Sequence, residues 1–211
     1  MKNKSYIGIT IVILIFGIWA VPKIINKVSG KELLKFEKVP DFKFVDQNNK
    51  VITNDTYKGK VYVVEFFFTS CPTICPKMMQ SMLKIQDEFY GNPNFGIASI
   101  TIDPKRDIPE KLKRYAEEHN ATLKNWHFLT GDIDTIYKLS NEGFKLYAGE
   151  NEEAEGGFEH SGLFALIDKD GYIRSRTIRE GGNDNPIKFY DGLNPQQIQM
   201  LKEDITKLLN E

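Results

Sequence analysis

Hydrophobic residues along the chain change period at a small number of sharp points. Residues 61–68 are dense in β-branched and aromatic side chains and read as a buried strand. Directly afterwards Met78, Met79, Met82, Leu83, Ile85 and Phe89 recur at helical spacing, with Pro76 placed for a first helical turn. Gly91-Asn92-Pro93-Asn94 breaks the chain, and 95–102 reads as a second buried strand. Residues 109–119 form an amphipathic helix with Leu112, Tyr115 and Ala116 on one face. A short strand at 126–129 follows, then a helix over 132–139 capped by Gly131 or Asp132.

The flanks of this core read differently. Residues 42–45 and 51–52 surround Asp46-Gln47-Asn48-Asn49, a hairpin signal. Residues 149–157, GENEEAEGG, are acidic and read as a solvated loop. An apolar strand at 163–167 turns through Asp168-Lys169-Asp170-Gly171 into 172–177. Residues 180–186 read as a Gly/Asn loop. Leu193 or Asn194 then precedes Pro195 and a closing helix that carries Ile198, Leu201, Ile205, Leu208 and Leu209. There is no internal repeat. Strands alternating with helices imply a parallel core joined by right-handed crossovers, and the terminal pair makes the sheet mixed. The expected fold is α/β: a thioredoxin-like mixed sheet flanked by helices, with an N-terminal β-hairpin and an insert before His160.

The N-terminus adds an appendage to this domain. Lys2 and Lys4 precede 6–21, which carries no charge and spans ~24 Å as a helix; continuation to Ile25 reaches the ~30 Å of a hydrocarbon core. No A-x-A cleavage pattern follows apart from Ile18-x-Ala20, and no cysteine lies nearby for lipidation. The reading is a retained signal-anchor, with a cleaved signal peptide as the alternative. Residues 1–29 are thus membrane anchor and flank, 30–40 a polar tether, and 41–211 the globular domain. Lysines flank the apolar run on both sides and do not orient it. Long domains translocate regardless, so the domain is expected outside the cytoplasm, on the periplasmic side. The net charge of −1 and scattered basic residues give no case for nucleic acid. A monomer is expected.

Chemistry concentrates where the first strand meets the first helix. Cys71 and Cys75 are the only cysteines in 211 residues. A helix start favours thiolate there. As a structural disulfide the pair would close a loop of about five residues, worth only ~2 kcal/mol against ~4.7 for a hundred-residue loop. Redox chemistry or metal binding fits better. Thioredoxin-type exchange normally uses Cys-x-x-Cys facing a cis-proline, whereas no proline stands between Pro109 and Pro186; Ser161 or Gly162 falls near that place. A peroxidatic cysteine needs Thr or Ser three residues before it, and Phe68 and Pro72 stand there instead. Two thiolates favour Cu(I), and structural zinc would need four protein ligands. Of the three histidines, His119 ends a charged helix and reads as solvated; His127, between Trp126 and Phe128, reads as structural. His160 precedes the strand at 163–167, whose leading loop faces the thiols in a thioredoxin-like sheet. Met78 and Met79 read as core. Asp103, at the end of the second core strand, is either a turn residue before Pro104 or an outer partner that tunes the cysteines.

The segment FTSCPTICP at 68–76 resembles the signature of the Sco (SenC-like) copper-chaperone family, a CxxxC followed by Pro on a thioredoxin-like fold. Two further motifs are similar in order. One is Glu159-His160-Ser161 before an apolar strand ending in Asp and a Gly turn; the other is Asp103-Pro104-Lys105-Arg106-Asp107, a DPxRD segment. Glu159 where many members have Asp, and Ser70 before the first cysteine, depart from the pattern without touching a ligand. The resemblance covers roughly 42–209. It implies copper, Cu(I) or Cu(II), held by Cys71, Cys75 and His160. It also implies a membrane anchor, and a partner in the copper-bearing subunit of cytochrome c oxidase, whose dicopper (CuA) centre such proteins supply with copper or keep reduced. A thiol-disulfide reductase using Cys71 and Cys75, or a redox sensor, remains the alternative.

Overall fold

The computed structural model describes residues 32–151 and 157–211, and of the preceding segment only Leu14 and Phe16, both helical and exposed. The chain divides into units at Leu33/Leu34. Among the described residues no helix is long and apolar enough to cross a membrane. The expected anchor at 6–25 lies, those two positions apart, outside the described residues.

From Leu34 onward a nine-stranded mixed sheet organises the chain. Its centre is parallel: β4 (Val61–Phe67), β5 (Phe95–Thr101) and β6 (Trp126–Thr130) lie side by side. Every residue of β4 and β5 is buried, as expected of central parallel strands covered on both faces. Helices α1 (Cys75–Glu88) and α2 (Pro109–Glu118) make the two crossovers. Both crossovers step the same way across the sheet, so right-handedness places both helices on one face.

Antiparallel strands complete each side. The hairpin β2 (Lys43–Asp46) and β3 (Val51–Thr53) joins β6, with Asp46 accepting bonds from the Asn48 and Lys50 amides inside its turn. On the other side β9 (Leu163–Ile167) lies against β4, followed by β10 (Tyr172–Ser175) and then β1 (Leu34–Lys38). The two-residue strand β13 (Tyr190–Asp191) also pairs with β9. Helix α3 (Ile133–Lys138) is capped by Asp132, which accepts from the Thr135 amide at 2.9 Å. Helix α4 (Pro195–Asn210) is capped by Asn194.

Three segments depart from the expectation. The tether expected over 30–40 contains strand β1. Its polar residues hide an edge strand: Leu33 and Val39 are buried at its ends, and Lys35 lies 3.7 Å over the Tyr172 ring. Charged side chains on such an edge also discourage pairing with other chains. The expected loop at 180–186 is half of a hairpin, β11 (Thr177–Glu180) with β12 (Asn183–Pro186), turning through Gly181 and Gly182 at φ 58° and 87°. The helix α3 runs on into a π-helical turn at Leu139–Phe144, ended by Lys145 in the left-handed region at φ 58°. The insert before His160 is a separate two-stranded ribbon, β7 (Ala148–Glu150) and β8 (Phe158–His160). The acidic residues 152–156 between its strands lie outside the described residues.

Candidate metal centre

The strand-to-helix junction positions the two cysteines. After β4 the chain turns once, with the Cys71 amide donating to the Phe68 carbonyl at 3.2 Å. Cys75 is the first residue of α1 and Pro76 the second, so the missing proline N–H costs no helical bond. Both cysteines are buried and unpaired.

A buried carboxylate pins the junction from below. Asp107, fully enclosed, accepts from the Thr69 amide at 2.9 Å, the Thr69 hydroxyl at 2.5 Å and the Thr101 hydroxyl at 2.7 Å. Lys111, one helical turn on, balances its charge at 3.0 Å and also donates to Ser70 Oγ. Asp107 therefore ties the ends of β4 and β5 to the start of α2, two residues before Cys71. Sequence reading fixed on its neighbour Asp103. That carboxylate is buried too, but it goes to Arg106, and its carbonyl accepts the Arg106 and Asp107 amides. Asp103 thus shapes the turn. Arg106 in turn lies 5.3 Å over the Phe158 ring.

His160 arrives from the ribbon. Its Nε2 stands 3.3 Å from Cys75 Sγ, and its Nδ1 lies 3.1 Å from the Ser161 carbonyl oxygen. A carbonyl only accepts, so Nδ1 carries the proton and Nε2 keeps its lone pair toward the sulfurs. Phe68 meets the imidazole edge-on at 5.7 Å and also packs against Phe158. Gly162 follows, one of the two residues, with Ser161, expected near the place of a cis-proline. A side-chain carbon there would lie 3.8 Å from Ile74, the residue before Cys75. Among the described residues no peptide bond is cis.

The sulfur pair is electrostatically unequal. The hydrogen bond from Cys75 is the main influence lowering the Cys71 thiol, against the opposing effect of burial. Cys75 shifts the other way, chiefly through the same bond and secondarily through burial. The pair therefore gives up a first proton readily and holds the second. Beneath it, Glu65 is a buried carboxyl that the sequence reading did not single out. Burial pushes it up to about 7, against the hydrogen bond it accepts from Ser99 at 2.6 Å. Ser99 in turn accepts from Trp126 Nε1.

Sulfur, sulfur and nitrogen lie within 4.8 Å of one another, the only such cluster among the described residues. Two soft sulfurs and an imidazole in a half-buried pocket suit a soft ion such as Cu(I). The other histidines are used elsewhere: His127 Nδ1 lies 3.1 Å from Asp46, and His119 Nδ1 is 2.8 Å from the Tyr115 carbonyl. Met78 and Met79 are core.

Comparison with known proteins places this arrangement. The SCO1/SenC family model matches residues 31–188. A protein of Stutzerimonas stutzeri named for copper binding is 31% identical over 169 residues, covering 79% of this chain and 78% of its own. A SCO1/SenC family lipoprotein from Bacillus anthracis str. Ames superposes with a TM-score of 0.72 at 28% identity, over 85% of this chain and 98% of its own. BsSco, described as carrying a disulfide switch and as a member of the Sco family of cytochrome c oxidase assembly proteins, superposes with a TM-score of 0.68 at 28% identity, over 84% and 96%. The family match runs through both cysteines and the histidine, and the shared fold spans nearly the whole of each neighbour: the chain belongs to the SCO1/SenC family.

Proposed function

We propose that this protein binds copper through Cys71, Cys75 and His160 and serves assembly of the dicopper centre of cytochrome c oxidase, from a membrane-tethered position outside the cytoplasm. The observation that carries the reading is the meeting of the three donor atoms within 4.8 Å. The name of the Stutzerimonas relative and the description of BsSco support it. Copper is cargo here. Reduced thiols hold it; when an oxidant takes two electrons from the two sulfurs, an S–S bond forms, both thiolate ligands disappear and the ion leaves. Asp103 acts at one remove, through Arg106 and the Phe158 ring, which shares strand β8 with His160.

Anaerobic copper titration of the reduced full-length chain tests the reading. About one copper should remain per chain after gel filtration. Equal retention by a Cys71→Ser/Cys75→Ser double variant would overturn it.

A second reading is favoured by the lowered Cys71 thiol. The Cys71 thiolate can attack a partner's disulfide, giving a mixed disulfide that Cys75 resolves while the partner leaves reduced. Disulfide-reductase activity without copper retention would select it.

A further inference from the structure

His160 rides on a ribbon that forms a sheet of its own. An isolated two-stranded hairpin is marginal in water, so the position of Nε2 depends on what clamps β7. The exposed pair Lys105–Glu150, 3.3 Å apart, adds little. Phe158 packs on Phe68 and fixes the face of the ribbon, but ring packing tolerates sliding. Asn141 supplies the directional contact. Its Nδ2 donates to the Ala148 carbonyl at 3.0 Å, and its Oδ1 accepts from the Ala148 amide at 2.8 Å. Ala148 is buried and stands directly opposite His160 in the ribbon register. One side-chain amide thus provides the donor and acceptor that a third strand would provide.

The π-helical turn puts Asn141 there. Within it the Ser140 carbonyl accepts the Leu146 amide at 2.9 Å, while the Ser140 hydroxyl donates back to the Leu146 carbonyl at 2.5 Å. Consecutive residues of the turn therefore bind alternate residues of the incoming strand, 146 and 148. Such π-turns recur at functional sites.

We propose that Asn141 is the positioning residue for His160, setting the imidazole at ligand distance from Cys75 by holding Ala148 across the ribbon. This inference rests on the copper reading above, with His160 as ligand.

The test uses the reduced full-length chain in five forms: wild type, Asn141→Ala, Asn141→Asp, His160→Ala and Asn125→Ala. Asn125 gives two side-chain bonds to main-chain carbonyls of Pro93 and Phe95, away from the ribbon, and controls for general loosening. Copper affinity by chelator competition and the Cu(II) spectrum are measured on each, and the ring nitrogens of His160 are followed by NMR without metal. Asn141→Ala should weaken copper about tenfold, move the Cu(II) spectrum toward that of His160→Ala, and lose the Nδ1-protonated signature. Asn141→Asp keeps the acceptor, loses the donor and should fall between; if the alanine variant does not fold, it carries the same reading. Asn125→Ala should match wild type. Wild-type affinity and spectrum in both Asn141 variants, or an equal effect in Asn125→Ala, overturns the proposal. If His160→Ala binds copper like wild type, the copper reading fails instead. The metal-free signature then decides: its loss in Asn141→Ala upholds the clamp, and its persistence overturns it.

Discussion

His160 donates its Nδ1–H to the Ser161 carbonyl and offers Nε2 to the sulfurs, and this division governs what its loss does. His160→Ala should leave two sulfurs that still bind Cu(I) but hold Cu(II) poorly, with little cost to stability since the residue is half-buried on a ribbon. His119→Ala and His127→Ala should leave copper affinity within error of wild type; parity of either with His160→Ala in a chelator-competition assay would refute the ligand choice. The meeting of His160 with the cysteines was legible because His160 alone precedes a strand that a thioredoxin-like sheet sets beside the one ending at the cysteines. Glu65 was not legible as a titrating group, because an apolar run conceals whether its one carboxyl is ionised. The ordinary value for that carboxyl is 4.5, and burial raises it to about 7. Between those values the native protein keeps a proton that the unfolded chain has lost, so this group lowers stability progressively as pH rises from ~4.5 to ~7, and by a constant amount above. The full effect is about 3 kcal/mol. Metal-free Glu65→Gln should therefore gain on wild type in urea unfolding across that window; a pH-independent difference would remove Glu65 as its source.

At the scale of elements, Asp107 joins two strand ends and a helix start through a single carboxylate. Asp107→Ala strands three donors and the Lys111 charge, and should cost about 3–5 kcal/mol in urea unfolding. Copper binding should weaken with it, since Thr69 stands two residues before Cys71. The motif Asp103–Asp107 was visible in sequence, but spacing could not say which of its two buried carboxylates would bond the turn before Cys71. Strand β1 was missed because Lys35, Glu37 and Lys38 mask the short apolar pattern of an edge. A chain beginning at residue 39 should unfold at lower urea than one beginning at 32, having lost the pairing with β10; equal midpoints would return 30–40 to the role of a tether. The hairpin β11–β12 did carry a signal, Gly181-Gly182, the pair that a tight turn with positive φ at both positions selects. Its exposed strand Asn183–Pro186 has no apolar alternation to confirm it. The π-turn leaves no period in the sequence at all.

Across the whole molecule, the α/β class and the order of core elements could be read in advance because fully buried parallel strands are near-continuous apolar runs, here interrupted only by Glu65 in β4 and by small or hydroxyl residues in β5. Sheet closure by β9, β10 and β1 depends on long-range pairing that periodicity does not encode. Metal and disulfide compete for the same two sulfurs of this one fold. Copper at a thousandfold excess over its Kd should stabilise the reduced protein by about 4 kcal/mol, against roughly 2 for the short cross-link. Thermal melts of reduced and oxidised protein, each with and without copper, should show a shift of several degrees in the reduced pair alone. An equal shift in the oxidised pair would place the metal elsewhere, on the acidic segment around Glu150–Glu155.

The separation between Cys75 and His160 has a consequence during biosynthesis. Cys75 and His160 are 85 positions apart in sequence, and the strand that follows the histidine, β9, is the one that closes on β4. A nascent chain therefore displays both thiols, with β4 lacking one neighbour, until synthesis has passed β9. Copper capture is consequently a late event, coupled to the last long-range pairing of the sheet, while oxidation of the thiols is open to an emerging chain from the moment Cys75 appears.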